Sequence, residues 1–229
     1  QHGIVTLGDD DTNSVGRKWR SALGKLGLIY PEIPNNLTIR QEDIGPADTI
    51  TPNGWRLIRA ETVPAMQECF LRALAAQYIN DIDGEGNEIL FSPLRHTLAV
   101  LLEVERQTGE ASISFVEMAI VIQKTNSFDN MPLIIDRILS IREERNRAPN
   151  KHRFDRSKYI EAATAAGLVE GTIRDYADAN IRYLKATGLV QSRGRGISLV
   201  LEKRLFSELL ARDTIAPITE LERYTFLCK

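Results

Sequence analysis

The sequence predicts a mainly α-helical protein made of winged-helix subdomains, each a helix-turn-helix followed by a short β-hairpin, joined by a helical layer. Two observations carry this prediction. Apolar residues recur at spacings of three and four along most of the chain, which is the period of an amphipathic helix. In the last third, a helix with a polar face is followed by GLV, the loop QSRGRG and the apolar segment ISLV, which is the order expected of a helix and a hairpin.

Composition places the chain among soluble globular proteins. Of its 229 residues, 43% are hydrophobic and 26% are charged. No apolar run approaches the ~20 residues that span a bilayer, so a cytoplasmic protein is expected. Cys69 and Cys228 are far apart and form no CxxC pair, which argues against a disulfide framework or a zinc site.

Positive charge is concentrated in one part of the chain although the whole carries a net charge of −2. Residues 142–212 contain 15 Lys and Arg against 9 Asp and Glu, a net charge of +6. An anionic partner would be steered toward this segment, whereas the simplest alternative is a solvated basic surface.

The first predicted element is the segment SVGRKWRSALGKLGLIY, an amphipathic helix that ends at Gly27. Trp19 and Leu26 fall on its apolar side. Its basic residues lie on the other side: Arg17, Lys18 and Arg20. A Pro- and Asn-rich excursion then leads to DTITPNGWRLI, a pattern compatible with a β-hairpin wing and a helix, and AMQECFLRALAAQYI predicts a further helix. Residues 1–80 are therefore predicted to form an N-terminal winged-helix-like subdomain.

Residues 81–148 are predicted to form a central helical subdomain, which the polar turn DIDGEGNEI separates from the first. Ser92 and Pro93 are a strong start signal for the helix SPLRHTLAVLLEVERQ. Ser114 and Glu117 have the spacing of a capping box before FVEMAIVIQ, and MPLIIDRILSIREER predicts another helix.

Residues 149–212 are predicted to form a second winged-helix subdomain. The charged stretch from Arg142 to Lys158 reads as a connection, followed by the helices SKYIEAATAAG and TIRDYADANIRYLKATG. Thr172 and Asp175 have capping-box spacing at the start of the latter. Its apolar stripe is predicted to consist of Ile173, Tyr176, Ala177, Ile181 and Leu184.

The opposite face of this helix is polar and carries Arg174, Asp178 and Arg182. Such a face on the second helix of a helix-turn-helix is suited to reading base edges in the major groove. Arg193 and Arg195 are predicted to stand free at the tip of the hairpin, where they can contact phosphates. Winged helices also mediate protein contacts, so a protein-interaction module and a transcriptional regulator remain alternatives.

The order of these segments resembles the N-terminal recognition region of AlwI-like type IIS restriction endonucleases and their nicking relatives. The segments that carry the resemblance run from ECFLRALAAQYI through FSPLRHTLAVLLEV and SISFVEMAIVIQ to RDYADANIRYLKATGLVQSRGRGISLV and IAPITELERYTFLCK, and ADANIRYLKATGLV is the most specific. The resemblance implies that winged-helix subdomains bind a short asymmetric site in double-stranded DNA, with the fragment expected to be a monomer. The residues implied to bind DNA are Arg17, Lys18, Arg20, Arg174, Asp178, Arg182, Arg193 and Arg195.

The same resemblance implies a separate C-terminal nuclease domain of the PD-(D/E)xK type that uses Mg²⁺. The residue two positions before each lysine of this chain is never Asp or Glu, so that motif is absent and no catalytic or metal-binding residue is expected here. Since the chain starts at Gln1 and ends in a segment that reads as a linker, residues 213–229, we expect a recognition fragment of a site-specific deoxyribonuclease.

Overall fold

The computed structural model describes residues 14–82, 86–213 and 219–228. These ranges contain eleven α-helices: α1 (Ser14–Lys25), α2 (Gln41–Ile44), α3 (Pro52–Ile58), α4 (Val63–Ala75), α5 (Pro93–Thr108), α6 (Phe115–Ile120), α7 (Met131–Arg147), α8 (Lys151–Ala165), α9 (Glu170–Ala186), α10 (Arg204–Arg212) and α11 (Glu220–Cys228). The same ranges contain five short strands: β1 (Ile79–Ile82), β2 (Glu88–Phe91), β3 (Ser112–Ile113), β4 (Val190–Arg193) and β5 (Gly196–Leu199). The predicted mainly α fold is confirmed.

The chain forms two compact units, which differ from the predicted division. One contains the described residues up to Ala60 together with 219–228, and the other contains those from Glu61 to Asp213. Helix α4 belongs to the second unit because its apolar face packs on α5 and α9. Elements before and after residue 148 share one core, since α6 packs on α8 and α9. The stretch predicted as a linker contains α11, and residues 83–85 of the predicted polar turn lie outside the described residues.

The first unit is organised around the end of α1. Gly27 adopts a left-handed backbone (φ +61°) and terminates the helix, as predicted. The Thr51 hydroxyl donates to the Gly27 carbonyl at 2.6 Å and accepts from the Gly54 amide at 3.0 Å, which caps α3. Helix α11 packs on α2, and the two enclose a small apolar core with Ile33, Ile44 and Cys228.

The excursion after α1 does not form the predicted wing. Between residues 30 and 50 the structure has the short helix α2, and a single bridge pairs Ile29 with Ile50. Pro31, Pro34 and Pro46 interrupt this stretch, and a proline donates no hydrogen bond to a strand ladder. Trp19, predicted to face inward from α1, is 54% exposed, so that prediction was wrong.

The core of the second unit lies among α5, α6 and α7. Leu98, Leu101 and Val104 of α5 are fully buried, as are Ile135 and Ile138 of α7. All six residues of α6 are buried. The predicted capping box is present, because the Glu117 carboxylate accepts from the Ser114 amide at 2.9 Å and the Ser114 hydroxyl accepts from the Glu117 amide at 3.3 Å.

The stretch predicted as a charged connection is instead mostly helical. Helix α7 extends to Arg147. The helical structure is interrupted at residues 148–150, and α8 begins at Lys151 with the Asn150 side chain as its cap. Ion pairs across the break hold α7 and α8 together: Arg145–Asp155 at 2.7 Å and Lys158–Glu144 at 3.0 Å. Pro149 marks the break, since a proline disfavours helical backbone in the residue before it.

A three-stranded antiparallel sheet closes the second unit, in the order β3-β5-β4. β4 and β5 are the predicted hairpin, whereas the two residues of β3 were not anticipated. β3 joins through Ile113, which pairs with Ile197. A Cβ atom on Gly196 would lie 2.1 Å from the Ile113 carbonyl oxygen, so only glycine lets these two strands approach so closely.

Candidate nucleic-acid interface

Helices α8 and α9 are joined by a tight turn in which Gly167 has a φ of +65°. α9 begins at Glu170, with Val169 as its cap residue, so the capping box predicted at Thr172 and Asp175 was wrong. Four residues of the predicted stripe are buried: Ile173, Ala177, Ile181 and Leu184. The fifth, Tyr176, is 60% exposed.

The outer face of α9 is exposed and carries charge of both signs. Asp178 and Arg182 lie there, as predicted, and form an ion pair at 2.9 Å over one helical turn. Exposed pairs of this kind contribute only about 0.3–0.5 kcal/mol, so a ligand can replace either partner at little cost. Tyr176 and Tyr183 are also exposed on this helix and add aromatic surface. Tyr176 had been predicted to be buried, and no prediction was made for Tyr183.

Arg174 is held at the first turns of α9. Its guanidinium lies 3.4 Å from Glu170, and Arg156 of α8 lies 3.5 Å from the same carboxylate. The guanidinium carbon of Arg174 also lies 5.8 Å from the ring centroid of Tyr159, within the range of a cation–π contact. Arg174 is therefore exposed but fixed against α8.

The hairpin tip is a two-residue turn, Gly194-Arg195, between paired Arg193 and Gly196. Gly194 has a φ of +56°, which is typical of the first turn residue in a type II′ hairpin. The expectation that the arginines stand free is corrected. Arg193 forms an ion pair with Glu110, and the guanidinium carbon of Arg195 lies 4.5 Å from the ring centroid of Phe115.

Two aromatic rings in edge-to-face contact lie between the hairpin tip and α9. Phe115 and Tyr159 contact each other edge to face, with ring centroids 6.1 Å apart. Arg195 covers the Phe115 ring and Arg174 lies over the Tyr159 ring. The hairpin arginine and the helix arginine therefore belong to one cationic cluster, defined as Arg174, Tyr159, Phe115 and Arg195.

Burial raises the pKa of Tyr159 to about 12, with Asp155 contributing in the same direction. Arg195, Arg174 and Arg145 act in the opposite direction. The phenol consequently stays neutral at physiological pH, so the positive charge of the cationic cluster is not offset by a phenolate.

The first turn of α8 adds basic residues that the sequence reasoning did not assign to the site. Lys151, His152 and Arg153 are exposed. Within the ranges that the structure describes, none of these three side chains has an acidic partner. The signal was present as a cluster of basic residues after Pro149, but the start of α8 had been placed further along the chain.

The basic residues of α1 lie in the other unit. Arg17 and Lys18 are exposed and have no acidic partner in the described part of the chain. Arg20 contacts Asp48 and lies 2.8 Å from Glu32. The hydrogen bond that Arg20 donates to the Asp48 carboxylate raises the pKa of Arg20. The positive charge of Arg20 is therefore largely neutralised within the unit.

The ranges 14–82, 86–213 and 219–228 contain no group of three or more His, Cys, Asp and Glu residues placed to hold a metal ion. In the same ranges, no helix is long and apolar enough to cross a bilayer.

Comparison with known proteins matches the AlwI restriction endonuclease family over residues 24–229, which is nearly the whole chain. The chain belongs to this family, and the resemblance seen in the sequence is confirmed. Restriction endonucleases act on DNA, so DNA is the partner that family membership implies. No individual curated protein matches the chain.

Proposed function

We propose that this chain binds double-stranded DNA sequence-specifically, as the recognition part of a type IIS restriction endonuclease. The observation that carries the proposal is the cationic cluster. It places a hairpin arginine, Arg195, and a helix arginine, Arg174, on one aromatic pair beside the exposed face of α9. A fixed pair of guanidinium groups is suited to bidentate contact with phosphate oxygens.

The packing of the elements around this cluster supports the interpretation of a winged helix. Helices α6, α8 and α9 pack on one another, and β4 and β5 form a hairpin directly after α9 with β3 as the third strand. In this interpretation α9 is the recognition helix, α8 crosses the DNA backbone and the β4–β5 hairpin is the wing.

The charged residues then have different roles. Arg182 and Asp178 read base edges in the major groove, because they lie in the middle of the exposed α9 face and their mutual ion pair is weak. Arg195 and Arg174 bind phosphates. Arg193 contributes less, since Glu110 neutralises it.

The first unit provides a second, smaller contact through α1. Arg17 and Lys18 bind phosphates there, whereas Arg20 mainly holds its own unit together through Asp48 and Glu32. In this proposal the chain binds one short asymmetric DNA site as a monomer.

Cleavage is assigned to a nuclease domain that uses Mg²⁺. Within the described ranges, no group of three or more His, Cys, Asp and Glu residues is placed to hold a metal ion.

Fluorescence anisotropy with labelled random-sequence duplexes at several salt concentrations tests the proposal. Because Arg195 binds phosphate, Arg195→Ala should weaken binding similarly on all duplexes and make the dependence of log K on log salt less steep by about one unit. The control is Arg212→Ala on α10, which removes the same charge from an exposed arginine that pairs with Glu208 one turn away. Equal behaviour of the two variants, or no binding at low salt, would contradict the proposal and favour a protein-interaction module.

A further inference from the structure

The side of α9 that faces away from its buried residues is divided into two stripes of different chemistry. One stripe is charged, and its members are spaced by three or four residues: Arg174, Asp178, Arg182 and Lys185. The other has the same helical spacing and carries no charge: Thr172, Tyr176, Ala179 and Tyr183. Residues at these spacings share one side of a helix, so the second set forms an uncharged stripe beside the charged one. The function proposed above uses residues of the charged stripe alone.

Tyr176 is the most exposed member of the uncharged stripe. Its side chain is 60% exposed, whereas Tyr183 is 40% exposed and lines a cavity together with Leu74 and Gln77. The two remaining members of the stripe are half-buried and have short side chains. Tyr176 has no side-chain hydrogen bond and no ring contact with another residue in the part of the chain that the structure describes. Its ring is therefore available to a partner.

Family membership makes DNA the partner of this chain, and the major groove offers an apolar group on one base. The base edges there present hydrogen-bond donors and acceptors, and among the four unmodified bases only thymine adds a methyl group, at C5. Phosphates attract cations, so an uncharged ring has no electrostatic attraction to the DNA backbone. A ring that covers a methyl group removes apolar surface of both from water, which is favourable.

We propose that Tyr176 reads the 5-methyl group of a thymine in the bound DNA. This inference rests on the proposed function and extends base reading from the charged stripe of α9 to the uncharged one. It makes Tyr176 a specificity-determining residue, and it makes the target a sequence that contains an A·T pair at a defined place.

The helix sets the distance between this thymine and the base pair that Arg182 contacts. Tyr176 and Arg182 are six residues apart on α9, which at ~1.5 Å per residue separates them by about 9 Å along the helix axis. Successive base pairs are ~3.4 Å apart. For a helix that lies along the groove, we expect the thymine about two to three base pairs from the base pair read by Arg182.

The test starts from the duplex that the native chain enriches from a random pool. Each thymine of this duplex is replaced in turn by deoxyuridine, which keeps the base pairing and the O4 acceptor and lacks only the 5-methyl group. Fluorescence anisotropy measures the affinity for each replacement. We expect one replacement to weaken binding by about three- to fivefold, since burying one methyl group contributes about that much, and the others to have little effect.

Variants assign the methyl contact to the ring of Tyr176. Tyr176→Ala should bind the thymine and deoxyuridine duplexes with equal affinity, whereas Tyr176→Phe keeps the ring and should keep the preference for thymine. The control is Phe206→Ala, which removes another exposed aromatic ring, on α10, and should also keep the preference. Thermal melts confirm that each variant is folded. A preference that persists in folded Tyr176→Ala would overturn the assignment, even if overall affinity falls.

Failure of this inference is distinguishable from failure of the proposed function. Enrichment of a sequence that tolerates deoxyuridine at every position, or of a sequence without an A·T pair, would overturn thymine reading and leave sequence-specific binding intact. Enrichment of no sequence at all would contradict the proposed function and this inference together. A penalty at a thymine two to three base pairs from the position that Arg182→Ala relaxes would support both.

Discussion

Glu117 serves both the local cap of α6 and a contact between helices. Its carboxylate accepts from the Ser114 amide, and Arg142 of α7 reaches it at 2.9 Å and 3.1 Å. The Glu117 side chain is only 3% exposed. Arg142 also donates to the Ser112 carbonyl at 2.7 Å, which fixes the chain at β3. The pair therefore holds the entry to α6 against α7.

Removing one partner of this pair should strongly destabilise the protein. We expect Glu117→Ala to lower the free energy of unfolding by about 3–5 kcal/mol, because it leaves the Arg142 charge half-buried without a partner. Urea unfolding measures the change. Glu143→Ala removes the exposed partner of Arg147 and should cost less than about 1 kcal/mol. Similar losses in the two variants would mean that the Glu117–Arg142 pair has no special role.

His96 should make stability depend on pH in the acid range. Burial lowers its pKa from 6.5 to about 4, partly opposed by Asp129. The unfolded chain therefore takes up the proton first as the pH falls. The contribution is present above about pH 6.5 and is lost between there and about pH 4, with a total on the order of 3 kcal/mol.

The measurement is urea unfolding at several pH values. His96→Gln should flatten the stability profile between about pH 6.5 and pH 4 relative to the native chain, because Gln does not titrate. His152→Gln, at an exposed position on α8, is the control and should leave the profile unchanged. An unaltered profile in His96→Gln would show that the buried imidazole does not carry the dependence.

At the level of secondary-structure elements, the first turn of α8 is expected to contact the DNA backbone. Lys151 and Arg153 are exposed and are not neutralised by described acidic residues, so each can release a counterion from a phosphate. We expect Lys151→Ala/Arg153→Ala to weaken binding similarly on all duplex sequences and to reduce the salt slope by about two units. Fluorescence anisotropy at several salt concentrations measures both quantities.

The control for this pair is Arg106→Ala/Arg212→Ala, which lowers the net charge equally but lies on α5 and α10. A reduced salt slope in both double variants would mean that total charge, rather than the position of α8, governs binding.

The close approach of β3 and β5 should depend on Gly196. Gly196→Ala places a Cβ atom 2.1 Å from the Ile113 carbonyl oxygen, so we expect a loss of about 1–3 kcal/mol in the free energy of unfolding. Gly171→Ala in α9 meets no atom within 4 Å and should instead stabilise the protein by about 0.5–1 kcal/mol. No loss of stability in Gly196→Ala would refute the packing described for the sheet.

The sequence predicted elements with a local signal and missed those that depend on distant contacts. The capping box at Ser114 and the hairpin around Gly194 were found because turn and cap chemistry is local. β3 has only two residues and depends on its pairing with β5, so the sequence contains no run of alternating apolar and polar residues that would predict it. The start of α8 was missed because its first turns have no apolar stripe and are held instead by ion pairs with α7.

In the candidate site as well, features with a local sequence signal were predicted and contacts between distant residues were missed. Helix periodicity correctly placed Arg174, Asp178 and Arg182 on the exposed side of α9. The acidic partners of Arg193 and Arg20, which are Glu110 and Asp48, come from remote parts of the chain and have no sequence pattern. Tyr176 was predicted to be buried because it has the helical spacing of the apolar stripe. The spacing does not show that the other four residues of the stripe already fill the contact between α9 and its neighbours.

At the scale of the whole molecule, a net charge of −2 is compatible with a DNA-binding surface, because some cations are paired with carboxylates and others are not. Many arginines are neutralised by nearby carboxylates. The cations without described acidic partners include Arg195 at the hairpin tip, Lys151 and Arg153 on α8, and Arg17 and Lys18 on α1. A few uncompensated cations on a nearly neutral protein favour specific contact over indiscriminate attraction to polyanions.

Selection of bound duplexes from a random pool tests the central claim most directly, because it measures DNA binding and sequence preference together. We predict that the native chain enriches one short asymmetric sequence. Arg182→Ala should relax the preference at one or two positions of that sequence, whereas Arg212→Ala should leave the preferred sequence unchanged. Recovery of a pool indistinguishable from the input would contradict the proposal that this chain reads DNA sequence through α9.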